Sequence, residues 1–159
     1  QSQGNDKAAF LHTDGAFNTT SGWGYGSGSF WNTTSPTSTT ISLGSIADMN
    51  GSGNKFLALC FASTAGVLKV GSYNGSNSDL QVTTGFQPSF VMVKNADLAR
   101  PWATFDNVRS GIVYINETSA MVDTASNYIS YNSTGFQLVG GTGTYINEAG
   151  YEWIYLAIA

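Results

Sequence analysis

Residues 67–94 read VLKVGSYNGSNSDLQVTTGFQPSFVMVK, and this stretch decides the fold class. It contains three short runs rich in β-branched and aromatic residues, separated by clusters of Gly, Asn, Ser and Pro. Such a pattern is typical of strands that are joined by tight turns. Asn74-Gly75 and Gly85 place residues that tolerate positive φ at the two turns. The stretch therefore predicts consecutive antiparallel strands.

The same pattern continues along most of the chain, and helical periodicity is scarce. Glu117–Val122 is the best helix candidate, and it allows one or two turns at most. We therefore predict an all-β protein, an antiparallel β-sandwich that is jelly-roll-like and has little or no helix. The predicted strands are Phe56–Ala62, Val67–Tyr73, Leu80–Thr83, Ser89–Lys94, Ala103–Phe105, Ile112–Ile115, Tyr128–Tyr131, Gly135–Val139 and Tyr151–Ala159.

Charged residues make up only 10% of the chain, and the net charge is −4. An exterior built from hydroxyl and amide groups is typical of extracellular fibres, capsids and sugar binders. The chain has no basic cluster and no apolar stretch of bilayer length, so we expect neither nucleic-acid binding nor a membrane span. Cys60 stands in the apolar run FLALCFA, and we expect it to be a small buried side chain.

An internal repeat organises the chain. Residues 44–62, GSIADMNGSGNKFLALCFA, align without gaps on residues 141–159, GTGTYINEAGYEWIYLAIA, at an offset of 97. Five positions are identical, and the apolar positions of the two segments match. We therefore expect residues 63–159 to form one complete repeat and residues 30–62 to be the closing part of an incomplete one. Residues 1–29 are expected to form an N-terminal arm or irregular segment.

Residues 70–111, VGSYNGSNSDLQVTTGFQPSFVMVKNADLARPWATFDNVRSG, carry a long ordered pattern. This pattern resembles a tandem β domain of uncharacterised function found in structural proteins of tailed, often marine, bacteriophages. The resembling segments are Val70–Gly75, Gly85–Asn95, Trp102–Arg109 and Tyr151–Ala159, and residues 30–63 resemble the end of a preceding unit.

The resemblance implies a non-enzymatic virion protein: a capsid decoration, head fibre or tail-fibre component at the surface of the extracellular particle. Its implied partners are other virion proteins and further copies of itself. An incomplete repeat exposes unpaired strand edges, which also favours partners. Two alternatives stay open, namely a carbohydrate-binding module for host surface glycans and a fragment of a glycan-cleaving tailspike.

Few residues are candidates for catalysis. His12 is the only histidine, so a catalytic triad or a zinc site is not expected. A glycosidase would need two paired carboxylates, and no spacing pairs the available acids. The loop Asn74–Asp79 has oxygen ligands for calcium, although a plain hairpin loop is favoured. We therefore predict no catalytic residues, no metal and no cofactor. The acids considered are Asp106, Asp123, Glu148 and Glu152.

Aromatic residues alternate with small ones over residues 23–31, WGYGSGSFW. This segment could be a core strand, a docking arm for a neighbouring subunit, or a platform for a sugar. Asp106 and Arg109, three residues apart, could form an internal salt bridge or contact a ligand. The residues that we select as candidate partner or glycan contacts are Trp23, Tyr25, Trp31, Trp102 and Arg109.

Overall fold

The computed structural model describes residues 7–19, 28–109, 111–121, 128–140 and 144–159. The chain forms two compact units, each with its own set of internal contacts. Unit 1 comprises Gln1–Ala9 and Phe17–Cys60, and unit 2 comprises Phe10–Ala16 and Phe61–Ala159.

The secondary structure is almost entirely strand. The two helices in the described part of the chain, α1 (Ala47–Asn50) and α2 (Thr144–Asn147), have four residues each. The strands are β1 (Lys7–Ala8), β2 (Asn18–Thr19), β3 (Leu68–Asn74), β4 (Leu80–Thr83), β5 (Phe90–Asn95), β6 (Ala103–Asp106), β7 (Val113–Tyr114), β8 (Ile129–Asn132), β9 (Gly135–Leu138) and β10 (Glu152–Ile158).

Unit 2 contains two antiparallel sheets. One has five strands in the order β3-β10-β5-β6-β7, and the other has three in the order β4-β9-β8. β10 pairs over its whole length with β3, from Glu152↔Asn74 to Ile158↔Leu68, and over six residues with β5 on its other side. The last strand of the chain therefore lies between the first and third strands of its unit.

The two sheets share one core, because side chains on alternate positions of each strand point to the same side. Trp153 and Ala157 of β10 and Val91 and Val93 of β5 are fully buried together with Phe136 of β9. The ring of Phe136 also contacts the edge of the Tyr155 ring, with centroids 5.6 Å apart. The predicted all-β, antiparallel sandwich with almost no helix is therefore confirmed.

Unit 1 has much less regular structure. β1 and β2 form a two-stranded antiparallel hairpin, in which Lys7 pairs with Thr19 and Ala8 with Asn18. The side chains of Phe30 and Ile46 are buried, and the Gly44 amide donates to the Phe30 carbonyl oxygen.

Two predicted elements differ from the structure. Residues 56–62 are not a strand, and Cys60 is exposed rather than buried. A strand requires a hydrogen-bonded neighbour, and residues 55–61 make no hydrogen bond to the described part of the chain. The helix candidate Glu117–Val122 is also wrong over the described residues 117–121, which are irregular.

Two Phe→Ala substitutions test this division between buried and exposed positions. Phe136→Ala empties a site that is 0% exposed, so we expect it to lower the free energy of unfolding by about 3–5 kcal/mol. Phe56→Ala removes a side chain that is 51% exposed, and we expect a change below about 0.5 kcal/mol. Urea titration followed by circular dichroism measures both. Equal losses in the two variants would contradict the assigned core.

Candidate functional site

The exposed apolar segment at residues 56–61, which we call the unpaired run, is the most unusual surface feature of the chain. Phe56 and Phe61 are each 51% exposed, Leu59 is 73% exposed and Leu57 is 86% exposed. Four large apolar side chains are thus exposed within six residues, and exposed apolar groups that cluster on a protein surface often mark interaction sites. The backbone of residues 55–61 makes no hydrogen bond to the described part of the chain.

The local structure before the run repeats the structure before β10. α1 ends at Asn50 and is followed by Gly53 at φ +80°, and α2 ends at Asn147 and is followed by Gly150 at φ +87°. Both helices have four residues, and each equivalent pair lies 97 positions apart. The residues that precede the unpaired run and those that precede β10 therefore share one local structure, a four-residue helix followed by a glycine at positive φ.

Asn147 connects α2 to the loop that follows β3. Its side-chain oxygen accepts a hydrogen bond from the Ser76 amide at 2.9 Å, and its side-chain nitrogen donates to the Ser78 carbonyl at 2.7 Å. The residue is only 1% exposed. Its equivalent, Asn50, is exposed and donates to the Gly44 carbonyl at 3.0 Å. Asn147 is thus buried and links two segments of unit 2, whereas Asn50, at the corresponding position after α1, lies on the surface.

Lys94 is buried on the outer face of the five-stranded sheet, opposite to the core face that carries Val93. Its ammonium donates to the carbonyl oxygens of Asn95 at 2.7 Å, Leu98 at 3.3 Å and Asp14 at 3.4 Å. Burial lowers the pKa of Lys94 to about 8, and the nearby Asp14 carboxylate opposes this shift. Three carbonyl oxygens thus solvate the cation in place of water.

Trp102 lies on the same outer face and binds the segment Phe10–Ala16, because its indole nitrogen donates to the Phe10 carbonyl at 3.1 Å. The residue is 9% exposed. A sugar could therefore stack on Trp102 only after this segment had moved. Part of the predicted N-terminal arm thus belongs to unit 2 of its own chain. His12, in the same segment, contacts the ring of Phe10.

The remaining predicted contact residues lie apart from one another. Trp31 is half-buried, and its indole nitrogen donates to the Lys7 carbonyl at 3.0 Å within unit 1. Arg109 is mostly exposed and pairs with the Asp106 carboxylate at 2.7 Å, which confirms the predicted internal salt bridge. The Asp106 carboxylate also accepts the Arg109 amide, and these contacts keep its pKa low. Trp23 and Tyr25 lie outside the described residues.

Asp79, Asp106 and Glu148, three of the carboxylates considered for catalysis or metal binding, are held by other groups. Glu148 forms a salt bridge with Arg100 at 3.0 Å. Asp79, in the candidate calcium loop, accepts hydrogen bonds from the Gly140 amide and the Gln137 side chain. Among the described residues, no group of three or more His, Cys, Asp or Glu side chains could hold a metal ion. Asp123 lies outside the described ranges.

Two Asn→Ala substitutions separate the connector in unit 2 from its equivalent in unit 1. Asn147→Ala removes two side-chain hydrogen bonds at a buried position, so we expect a loss of about 1–3 kcal/mol in unfolding free energy. Asn50→Ala removes one hydrogen bond at an exposed position and should cost less than about 1 kcal/mol. Denaturant titration measures both, and an equal cost would argue against the connector role of Asn147.

Lys94 predicts a rise of stability with pH. An unfolded lysine keeps its proton to about pH 10.4, whereas the lowered pKa of Lys94 releases the proton near pH 8 in the folded chain. Between these values the unfolded state binds more protons, so stability rises with pH, by about 1–2 kcal/mol from pH 8 to 9.5. Lys94→Met should remove this rise in urea titrations, and Lys55→Met, at an exposed position, should keep it. If the unfolding free energies of wild type and Lys94→Met changed with pH in the same way, Lys94 would not be the source of the rise in stability.

None of the helices in the described ranges has the length and apolar character that crossing a bilayer requires. The chain matches no curated protein and no solved structure. A family model does match, and it covers residues 8–159, which include all of unit 2, most of unit 1 and the unpaired run. The chain therefore belongs to the DUF7483 family, a domain of unknown function.

Proposed function

We propose that the chain is a non-enzymatic structural protein of a tailed-phage virion, a capsid decoration, head fibre or tail-fibre component. In this role it acts through subunit contacts and displays its loops at the particle surface. The observation that carries the proposal is the unpaired run, whose apolar side chains are 51–86% exposed. A protein that works alone gains nothing from such a surface, whereas a subunit buries it on assembly.

Backbone chemistry supports the same role. Residues 55–61 leave their amide and carbonyl groups without partners in the described part of the chain. Unpaired strand-forming backbone is a template for pairing with another polypeptide, and β-strand addition is a common way to join subunits. Hydrogen bonds and apolar burial would therefore both favour association at this segment.

The virion setting rests on the resemblance of residues 70–111 to phage structural domains, and on composition. Only 10% of the residues are charged, so the exterior depends on Ser, Thr, Asn and Gly. A sandwich of two sheets that share one core is a suitable rigid unit for a surface protein. None of these features requires chemistry at a catalytic centre.

The geometry gives less support to the two sugar-directed alternatives. Glycan stacking needs an exposed ring face, and Trp102 is covered by the segment Phe10–Ala16. Glycosidic cleavage needs two free carboxyl groups at a defined separation, and both Asp106 and Glu148 are paired with arginines. A structural role requires neither the uncovering of Trp102 nor the release of the two carboxylates from their arginine partners.

Mass spectrometry of purified phage particles tests this proposal. The chain should be present in density-purified particles in a fixed ratio to the major capsid protein, and immunogold labelling with antibody against the purified chain should decorate the particle surface. A host cytosolic protein of similar abundance is the control for carry-over. Enrichment of the chain in the lysate, together with its loss from purified particles, would refute the virion role.

A further inference from the structure

β3 is an edge strand of the five-stranded sheet, and part of its outer edge is open. Alternate residues of a strand direct their backbone amide and carbonyl groups to the same edge. Those of Val70 point outward, where they bind the Ser63 hydroxyl at 3.2 and 3.3 Å. The backbone groups of Ser72 and Asn74 point the same way and have no hydrogen-bond partner in the described part of the chain. The edge of β3 therefore offers amide and carbonyl groups to a further strand.

β3 differs from the other edge strands of unit 2 in its length and in the side chains beside its edge. It has seven residues, whereas β4 and β8 have four each and β7 has two. Of the large apolar side chains in the described strands, only that of Val70 is exposed, at 36%. A long open edge with apolar side chains favours the addition of a strand. Among the described edges, we therefore expect strand addition at β3.

The chain's own unpaired run does not continue along this edge. The pair of Thr64 with Leu68 starts an antiparallel ladder, in which Ala62 would be the next residue to pair with Val70. The Ser63 hydroxyl binds both backbone groups of Val70 instead. The ladder therefore ends at Ser63, and the run and the open edge are both left unpaired in the same chain.

The unpaired run has the side-chain alternation of an added strand. Leu57, Leu59 and Phe61 alternate with Ala58 and Cys60. When extended, this part of the run carries large apolar side chains on one face and small ones on the other. The three large side chains are 51–86% exposed. Pairing with a sheet edge would bury them and would also satisfy the backbone groups of the run.

The charges beside the two segments favour one orientation. Lys55, which is exposed, directly precedes the run, and the run itself has no charged residue. Glu152 lies opposite Asn74 at the carboxyl end of β3, and the Asp97 carboxylate binds the Glu152 amide there. Lys69 lies near the amino end of β3. An antiparallel run would place Lys55 beside the two carboxylates, whereas a parallel run would place it beside Lys69.

We propose that the unpaired run of one copy of this chain adds, antiparallel, to the outer edge of β3 in a second copy. The occupant is a second copy because each chain carries both complementary surfaces, while the Ser63 hydroxyl keeps the run off the edge of its own chain. The inference rests on the proposed subunit role, and it names the partner of the run. Such a contact joins different surfaces of two copies, so it can repeat from copy to copy.

Cross-linking between two proteins that each have one cysteine tests this contact. The wild type has a single cysteine, Cys60, on the run, and Cys60→Ala/Ser72→Cys has a thiol only on the β3 edge. Neighbouring strands lie about 5 Å apart, so a short bismaleimide should join the two thiols. The mixture should give a dimer linked between positions 60 and 72, as identified by peptide mass spectrometry. Each protein alone should stay monomeric under the same treatment.

A matched cysteine variant and two aspartate variants keep the result specific. Cys60→Ala/Ser130→Cys should give no dimer with the wild type, because Ser130 is an exposed strand residue of the other sheet. Leu59→Asp should raise the Kd of self-association at least about tenfold, since the contact would bury an unpaired charge. Val108→Asp, at another exposed apolar position, should leave the Kd unchanged. Analytical ultracentrifugation over a range of chain concentrations measures both.

Four results would overturn the proposal. The first is a mixture that stays monomeric at the highest soluble concentration, and the second is equal dimer formation by the wild type alone, which would pair run with run. The third is equal cross-linking of the Ser130→Cys control. The fourth is a Ser72→Cys variant, with Cys60 retained, that is cross-linked only within one chain, which would assign the edge to the chain's own run.

The two proposals fail separately. Cross-linking and ultracentrifugation use the purified chain in solution, so a negative result there leaves the presence of the chain in virions unaffected. Absence of the chain from purified particles would refute the virion role and would leave the measured self-association as it stands.

Discussion

The pairing of β10 with strands on both of its edges is the interaction on which unit 2 depends. β10 is far from β3 and β5 in sequence, yet it pairs with both of them. Its alternate side chains then complete the core against the second sheet, where Phe136 contacts Tyr155. An isolated pair of strands is only marginally stable in water, so the pairing of β10 with both neighbours stabilises the sheet.

The unpaired run shows what happens when an apolar segment lacks such paired neighbours: it stays exposed. Residues 56–62 and 153–159 have matching apolar patterns and equivalent turns before them, yet one segment is exposed and the other is the centre of a sheet. Strand propensity is a property of how a side chain fits a paired, half-buried surface rather than of the isolated backbone. The difference between the two segments therefore comes from their neighbours and not from their own residues.

This dependence explains how far the sequence predicts the structure. Eight predicted strands were found, with each end within one residue of its predicted position. In unit 2 each of these strands has partners, and the turns at Gly85 and Asn74-Gly75 separate them clearly. The ninth predicted strand, Phe56–Ala62, was wrong. Its apolar pattern is that of a buried strand, but a sequence pattern does not show whether a neighbouring strand is present to pair with it. The same error made Cys60 appear buried.

Contacts of the candidate site were harder to predict than the fold, since they join residues that are distant in sequence. The salt bridge of Asp106 with Arg109 was predictable because the two residues are three positions apart. Nothing in the sequence indicates that Trp102 binds the Phe10 carbonyl across 92 positions. The burial of Lys94 carried one weak signal, since a lysine follows alternating core residues at the end of β5.

Polar side chains hold this weakly charged protein together mainly through backbone groups. Lys94 is solvated by three carbonyl oxygens, and Asn147 binds one amide and one carbonyl of the loop after β3. Such contacts depend on the path of the backbone. They therefore select the segment that packs against each polar side chain by its backbone geometry as well as by its charge. The side chain of Asn50, which is exposed, makes only the hydrogen bond to the Gly44 carbonyl within the described part of the chain and has no such contact with a distant segment.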